Sequence, residues 1–125
     1  MAGSGFEEAI DSFAASLALE RGLSGNTQEA YLRDVRAFVH HVAASGRRSA
    51  ADVTRSDVVA YLNALLHEEM KPSSRARAFV SIREFFTHLK EMRFIAADPT
   101  EGLEAPKKNI ALPKTLSEDI MRRLL

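Results

Sequence analysis

The chain has 125 residues, a formal net charge of +0, 46% hydrophobic and 27% charged residues, and no cysteine. That length suits one domain with its own core, and the lack of cysteine excludes a disulfide framework and any thiolate metal site. The longest apolar run, VVAYLNALL from Val58 to Leu66, is interrupted by Asn63 and falls short of the ~18 residues a membrane span requires.

Zero net charge conceals an asymmetry. Residues 1–70 carry 6 Lys/Arg against 10 Asp/Glu, or −4, whereas residues 71–125 carry 11 against 7, or +4. A partner feels the local field and not the sum, so the second half is the one to search for a basic surface. A solvated mixed surface explains the same numbers.

Residues 1–5, with Ala2-Gly3-Ser4-Gly5, lack the basic and apolar regions of a signal peptide and read as a flexible leader or an engineered scar. Four amphipathic helices follow, and no segment alternates as a strand would. The first carries Phe6, Ile10, Phe13 and Leu17 on one face and stops at Gly22. The second opens at Ser24, carries Tyr31, Val35, Phe38 and Val42, and stops at Gly46. In the third, Thr54 and Asp57 form a variant capping box ahead of Val58, Tyr61, Leu62, Leu65 and Leu66. The fourth follows Pro72, with Phe79, Ile82, Phe86 and Leu89 inward.

Asp98-Pro99 then offers an N-cap and first-turn proline for a short helix through Leu103. Residues 105–116 lose all apolar period and contain two prolines and three lysines, which predicts an extended basic linker. Thr115 to Asp119 begins another helix, so residues 117–125 read as the truncated start of a further domain. The expectation is an all-α, four-helix domain over residues 6–104, followed by a short helix and a linker.

No catalytic constellation is visible. His40 and His41 are adjacent, so they point about 100° apart and cannot share a metal as an i, i+4 pair could. There is no H-E-x-x-H, no phosphate-cradling glycine loop and no G-x-S-x-G. Tyr31 and Tyr61 sit on apolar stripes and read as core. Neither a metal nor another cofactor is implied.

The fourth helix is two-sided. On a helical wheel Phe79, Ile82, Phe86 and Leu89 fall within about 80° of one another, and Ser74, Arg77, Ser81 and His88 fall opposite. An arginine can fork onto guanine or grip a phosphate, serines read base edges or backbone oxygens, and free N–H groups at a helix start suit an anion. The plain alternative is that Ser73 or Ser74 caps the helix and Arg77 is merely solvated. The second helix repeats the pattern, with Asn26 and Thr27 at its start and Arg33 and Arg36 away from its apolar stripe. Two such helices could enter or straddle one major groove. Arg83 lies at the border of the buried face and is expected to pair with a carboxylate, with Asp34 the candidate.

In order and spacing, LALERGLSGNTQEAYLRDVRAF, VTRSDVVAYL, SSRARAFVSIREFFTHL, ADPTEGLEAPK and LPKTLSEDIMRRLL resemble the N-terminal core-binding domain of Xer-type tyrosine recombinases, within the integrase superfamily. The resemblance runs from Phe6 to Leu125. It implies a SAM-like four-helix domain forming half of a C-shaped clamp on duplex DNA, with the second and fourth helices across the major groove and the linker along the backbone. The DNA-binding residues it implies are Asn26, Thr27, Arg33, Ser73, Ser74, Arg77, Lys107 and Lys108. The first helix is implied to meet a neighbouring protomer in a synaptic complex. The family's tyrosine nucleophile and its arginines, histidine and lysine belong to a second domain, so the resemblance implies a DNA-binding fragment that is not itself an enzyme; a cytoplasmic location is the expectation that the lack of cysteine suits. Two other readings stay in view: a helical protein-interaction module, and an autonomous helix-turn-helix regulator.

Overall fold

Glycines, caps and a proline divide the chain into four helices in the computed structural model, which describes residues 4–20 and 22–104. Helix α1 spans Ser4–Leu19, α2 spans Gly25–Ala44, α3 spans Arg55–Leu66 and α4 spans Pro72–Glu91, with one 3₁₀ turn, Ala50–Asp52, before α3. No strand occurs among the described residues, as the sequence pattern predicts.

Phe6, Ile10, Phe13 and Leu17 of α1 are buried together with Ala9. The helix begins earlier than expected: Ser4 and Gly5, read from sequence as leader, form its first turn. Gly5 is there for space, since a Cβ at this position would lie 2.6 Å from Ser49 Cβ. At the start of α2, the Ser24 hydroxyl accepts from Thr27 N–H at 3.1 Å. Its chain exit uses Gly46 at φ 102°, a left-handed conformation that favours glycine. The capping box of α3 is complete, with Asp57 Oδ2 accepting from Thr54 N–H at 2.9 Å and Thr54 Oγ1 accepting from Asp57 N–H at 3.1 Å. Val58, Tyr61 and Leu65 of its stripe are buried, Leu62 is half-buried, and Leu66 is left exposed at the outer edge.

Helix α4 is the central element and packs against each of the other three. Its buried set is therefore broader than one stripe: Ala78, Phe79, Ser81, Ile82, Phe85, Phe86 and Leu89. Edge-to-face aromatic contacts run through the core from α1 to α3. Phe13 meets Phe85 at 5.5 Å, Phe85 meets Phe86 at 5.2 Å, Phe86 meets Phe38 at 5.8 Å, and Phe38 meets Tyr61 at 5.2 Å. Such pairs contribute about 0.5–1.5 kcal/mol each beyond the area they bury, so the four helices are joined through one aromatic row.

After α4 the chain turns at Arg93, φ 66°, and buries Ile95 and Thr100 against the bundle. The segment expected to be a short helix forms two successive turns instead, Glu101 N–H to Asp98 C=O at 3.1 Å and Leu103 N–H to Thr100 C=O at 3.0 Å. Asp98 does act as the expected cap: its Oδ1 accepts from Thr100 N–H at 2.8 Å and Thr100 Oγ1 at 2.6 Å. Gly102, at φ 83°, stops propagation. Arg55 of α3 ties the segment down by donating to the Glu101 carbonyl at 2.7 Å. The linker and the start of a further domain, residues 105–125, lie outside the described residues.

Candidate nucleic-acid interface

The start of α2 presents polar groups to solvent. Asn26 is exposed, and Thr27 is half-buried with its hydroxyl accepting from Ser24 Oγ at 3.0 Å. Arg33 and Arg36 are exposed about two and about three turns beyond Asn26, and neither has a carboxylate within ion-pair reach among the described residues. Among the described residues they are surface cations outside any ion pair.

At α4 the residue in the N-cap position is Lys71, which makes no side-chain cap, and Pro72 opens the helix. Ser73 and Ser74 lie inside the first turn, exposed and half-buried, and neither hydroxyl caps the helix. The plain capping explanation of these serines therefore does not hold. Ser74 and Arg75 N–H both donate to the Lys71 carbonyl, at 2.9 and 3.0 Å. Arg75 folds back instead of facing outward, donating from Nη1 to the Met70 carbonyl at 2.7 Å.

Arg77 is not simply solvated either. Its Nε donates to Asp34 Oδ2 at 2.9 Å and its Nη2 to Asp34 Oδ1 at 3.0 Å, a bidentate bridge from α4 to α2. Asp34 accepts a further bond from Ser81 Oγ at 2.9 Å. The hydrogen bond to Asp34 raises the Arg77 pKa further, partial desolvation opposes this, and the Asp34 charge adds to it, so the guanidinium is a permanent cation. The expectation that Asp34 pairs with Arg83 is corrected here. Arg83 is exposed, with its guanidinium carbon 5.4 Å from the centre of the Phe79 ring, an arrangement suited to a cation–π contact.

Two other residues assigned to the outer face of α4 turn out to face neighbours. Ser81 is wholly buried between α4 and α2, and His88 is half-buried, with Nε2 2.7 Å from Ser12 Oγ of α1. A wheel with one buried side misplaces them because α4 has neighbours on several sides.

Contacts between α2 and α4 advance together along both helices: Asp34 meets Arg77 and Ser81, and Phe38 meets Phe86. The middle of α2 therefore lies against α4 from Arg77 to Phe86. Asn26 and Thr27 lie in the first turn of α2 and Ser73 and Ser74 in the first turn of α4, and the Arg77–Asp34 bridge joins the two helices. Lys107 and Lys108 are outside the described residues. Tyr61 is no candidate nucleophile, because burial pushes its hydroxyl up to about 12 and disfavours the phenolate. Among the described residues no group of three or more His, Cys, Asp or Glu is placed to hold a metal ion, and no helix is long and apolar enough to cross a membrane.

Comparison with known proteins decides the family. The model of the phage integrase N-terminal SAM-like domain matches residues 10–92. The chain belongs to this family. Its SAM-like bundle is similar to tyrosine recombinase XerD of Shewanella oneidensis, 38% identical over 116 residues, covering 93% of this chain and 38% of that protein. It is also similar to XerD of Listeria monocytogenes, 38% identical over 117 residues, 93% of this chain and 39% of the relative. Tyrosine recombinase XerC of Herpetosiphon aurantiacus is 35% identical over 111 residues, 89% of this chain and 36% of the relative. The chain thus spans under two fifths of the length of these relatives. The match begins within α1 and ends just past α4, so the SAM-like family model corresponds to the four-helix body.

Proposed function

We propose that this chain is the DNA-binding clamp domain of a cytoplasmic, site-specific tyrosine recombinase, binding duplex DNA without carrying the strand-exchange chemistry. The observation that supports the reading is the bidentate Arg77–Asp34 bridge joining α2 and α4, two helices whose first turns carry the short donors Asn26, Thr27, Ser73 and Ser74 and of which α2 also carries the exposed Arg33. Short donors and a guanidinium on two helices tied together suit phosphate oxygens and base edges of one groove. In this reading Lys107 and Lys108 follow the backbone as unspecific phosphate contacts, and the phosphotyrosine chemistry belongs to the remainder of a longer protein.

The test is fluorescence anisotropy on a random-sequence duplex of ~30 base pairs at several salt concentrations. If ~5–6 phosphates are neutralised, log K falls with log salt at a slope near about −5. Arg33→Ala is the variant of choice, because Arg33 is exposed and makes no ion pair among the described residues, so its loss is expected to leave the fold intact; the slope should become shallower by about one. Binding that is absent at low salt would remove the reading.

A second reading, a surface for neighbouring protomers, is favoured by one observation. Leu19, at the end of α1, is 85% exposed. Sedimentation of wild type beside Leu19→Ser tests it: self-association lost in the variant supports a protomer contact there, and a monomer at all concentrations speaks against one in this chain.

A further inference from the structure

Arg77 is held by one edge only. Its Nε and the adjacent N–H of Nη2 are used on Asp34, while no protein group accepts from Nη1 among the described residues. The guanidinium side chain is 38% exposed and the carboxylate beneath it 10%. Asp34 is itself fixed from behind by Ser81, a wholly buried hydroxyl that donates to Oδ2 at 2.9 Å while sitting on its own helix turn at the Arg77 carbonyl, 2.9 Å. The sequence of contacts is Ser81 to Asp34 to Arg77 to solvent. Two consequences follow from the geometry. The side-on edge of the guanidinium is taken up by Asp34, and the N–H groups left to donate elsewhere are those of Nη1 and the outer one of Nη2, on a side chain that solvent reaches. The charge of Arg77 is also matched locally, unlike that of Arg33 or Arg36, which have no carboxylate in ion-pair reach among the described residues.

Resting on the clamp reading, we propose that Asp34 is a positioning residue that aims the outer edge of Arg77 at the DNA and cancels its charge, with Ser81 holding Asp34 in place. Arg77 then contributes oriented hydrogen bonds instead of general electrostatic attraction. A cation already matched by a carboxylate displaces few counterions from DNA, so Arg77 adds little to the salt dependence of binding while Arg33 adds a full share. Asp34 touches no DNA in this scheme. It acts through Arg77 and sets how much of the affinity is geometric and how much is ionic.

The salt slope on the same random-sequence duplex reads this directly, and a purely structural role for Asp34 would not move it. Asp34→Asn unmasks the arginine, so the slope is expected to steepen by about one while the helical circular dichroism is retained. The double variant Asp34→Asn/Arg77→Gln removes both charges together, so neither is left buried without its partner, and it folds even where a single change does not. It is expected to bind more weakly than wild type at an unchanged slope. An unchanged slope in Asp34→Asn, or a slope shallower by about one in the double variant, would mean that Arg77 already acts as an unmatched cation, and the inference would be overturned with the clamp reading intact. Wild type without salt-dependent binding would instead remove the clamp reading, and this inference with it.

Discussion

Two arginine–aspartate forks in this domain have nearly the same geometry and different tasks. Arg47 grips Asp57 at 2.8 and 3.1 Å, and Arg77 grips Asp34 at 2.9 and 3.0 Å. Each arginine side chain is 38% exposed, over carboxylates that are 15% and 10% exposed. What differs is the rest of the carboxylate's surroundings. Asp57 lies ten residues from its arginine in sequence and also closes the capping box with Thr54, so it fixes the loop into α3. Asp34 is 43 residues from Arg77 and takes its third bond from Ser81, so it fixes the relative placement of two helices. The same chemical pair builds a local turn in one place. In the other it is a long-range tie whose cation faces the proposed partner.

The largest expected effect comes from breaking the long-range fork on one side only. Arg77→Ala strands the Asp34 carboxylate between α2 and α4 with a single remaining donor. Breaking a fully buried pair costs about 3–5 kcal/mol; with the arginine partly screened by solvent, a loss of about 2–3 kcal/mol in urea unfolding is expected. The double change Asp34→Asn/Arg77→Gln should cost under about 1 kcal/mol, since no charge is left uncompensated. If the single and double variants cost the same, Arg77 is not structurally coupled to Asp34 and the contrast between the forks collapses.

Next in size is the local fork. Asp57→Ala leaves the Thr54 hydroxyl cap in place but removes the carboxylate half of the capping box and the acceptor of Arg47, and a loss of about 1–2 kcal/mol is expected from these hydrogen bonds. The slope of DNA binding against salt should not change, because this fork has no part in the proposed interface. A shifted slope in Asp57→Ala would show that the two pairs are not separable in function.

How far these tasks could be read in advance differs between them. The capping box was visible as Thr54 and Asp57 at the right spacing, because local chemistry is written in adjacent residues. The four helices were visible for the same reason, as stripes such as Phe6, Ile10, Phe13 and Leu17. The Asp34 tie was visible only in part. Asp34 falls at helical spacing between Tyr31 and Phe38, and a carboxylate on an apolar stripe requires a partner. Periodicity showed that need, but the choice between Arg77 and Arg83 depends on how two distant helices dock. The wheel assumed one buried side for α4, whereas α1, α2 and α3 all pack on it, so Ser81 and His88 face neighbours and Arg83 faces solvent over Phe79. A buried serine one turn after an arginine, opposite a stripe carboxylate, is the signal that would have favoured Arg77.

The smallest effect separates the charge of Asp57 from its hydrogen bonds. Burial pushes its carboxyl up, but the hydrogen bond from Arg47, those at Thr54 and the Arg47 charge outweigh it, and the net shift is downward. A folded pKa below the unfolded one stabilises the protein above the unfolded value, about 3.9, and the contribution is lost as pH falls through the folded value. Asp57→Asn keeps the shape and removes the titration. The gap between the urea midpoints of wild type and Asp57→Asn should therefore be widest near neutral pH and narrow steadily below about pH 4. A gap that stays constant into acid would mean that the local fork acts through its hydrogen bonds alone. The two forks would then differ in kind as well as in reach, because the inferred role of Asp34 depends on its negative charge.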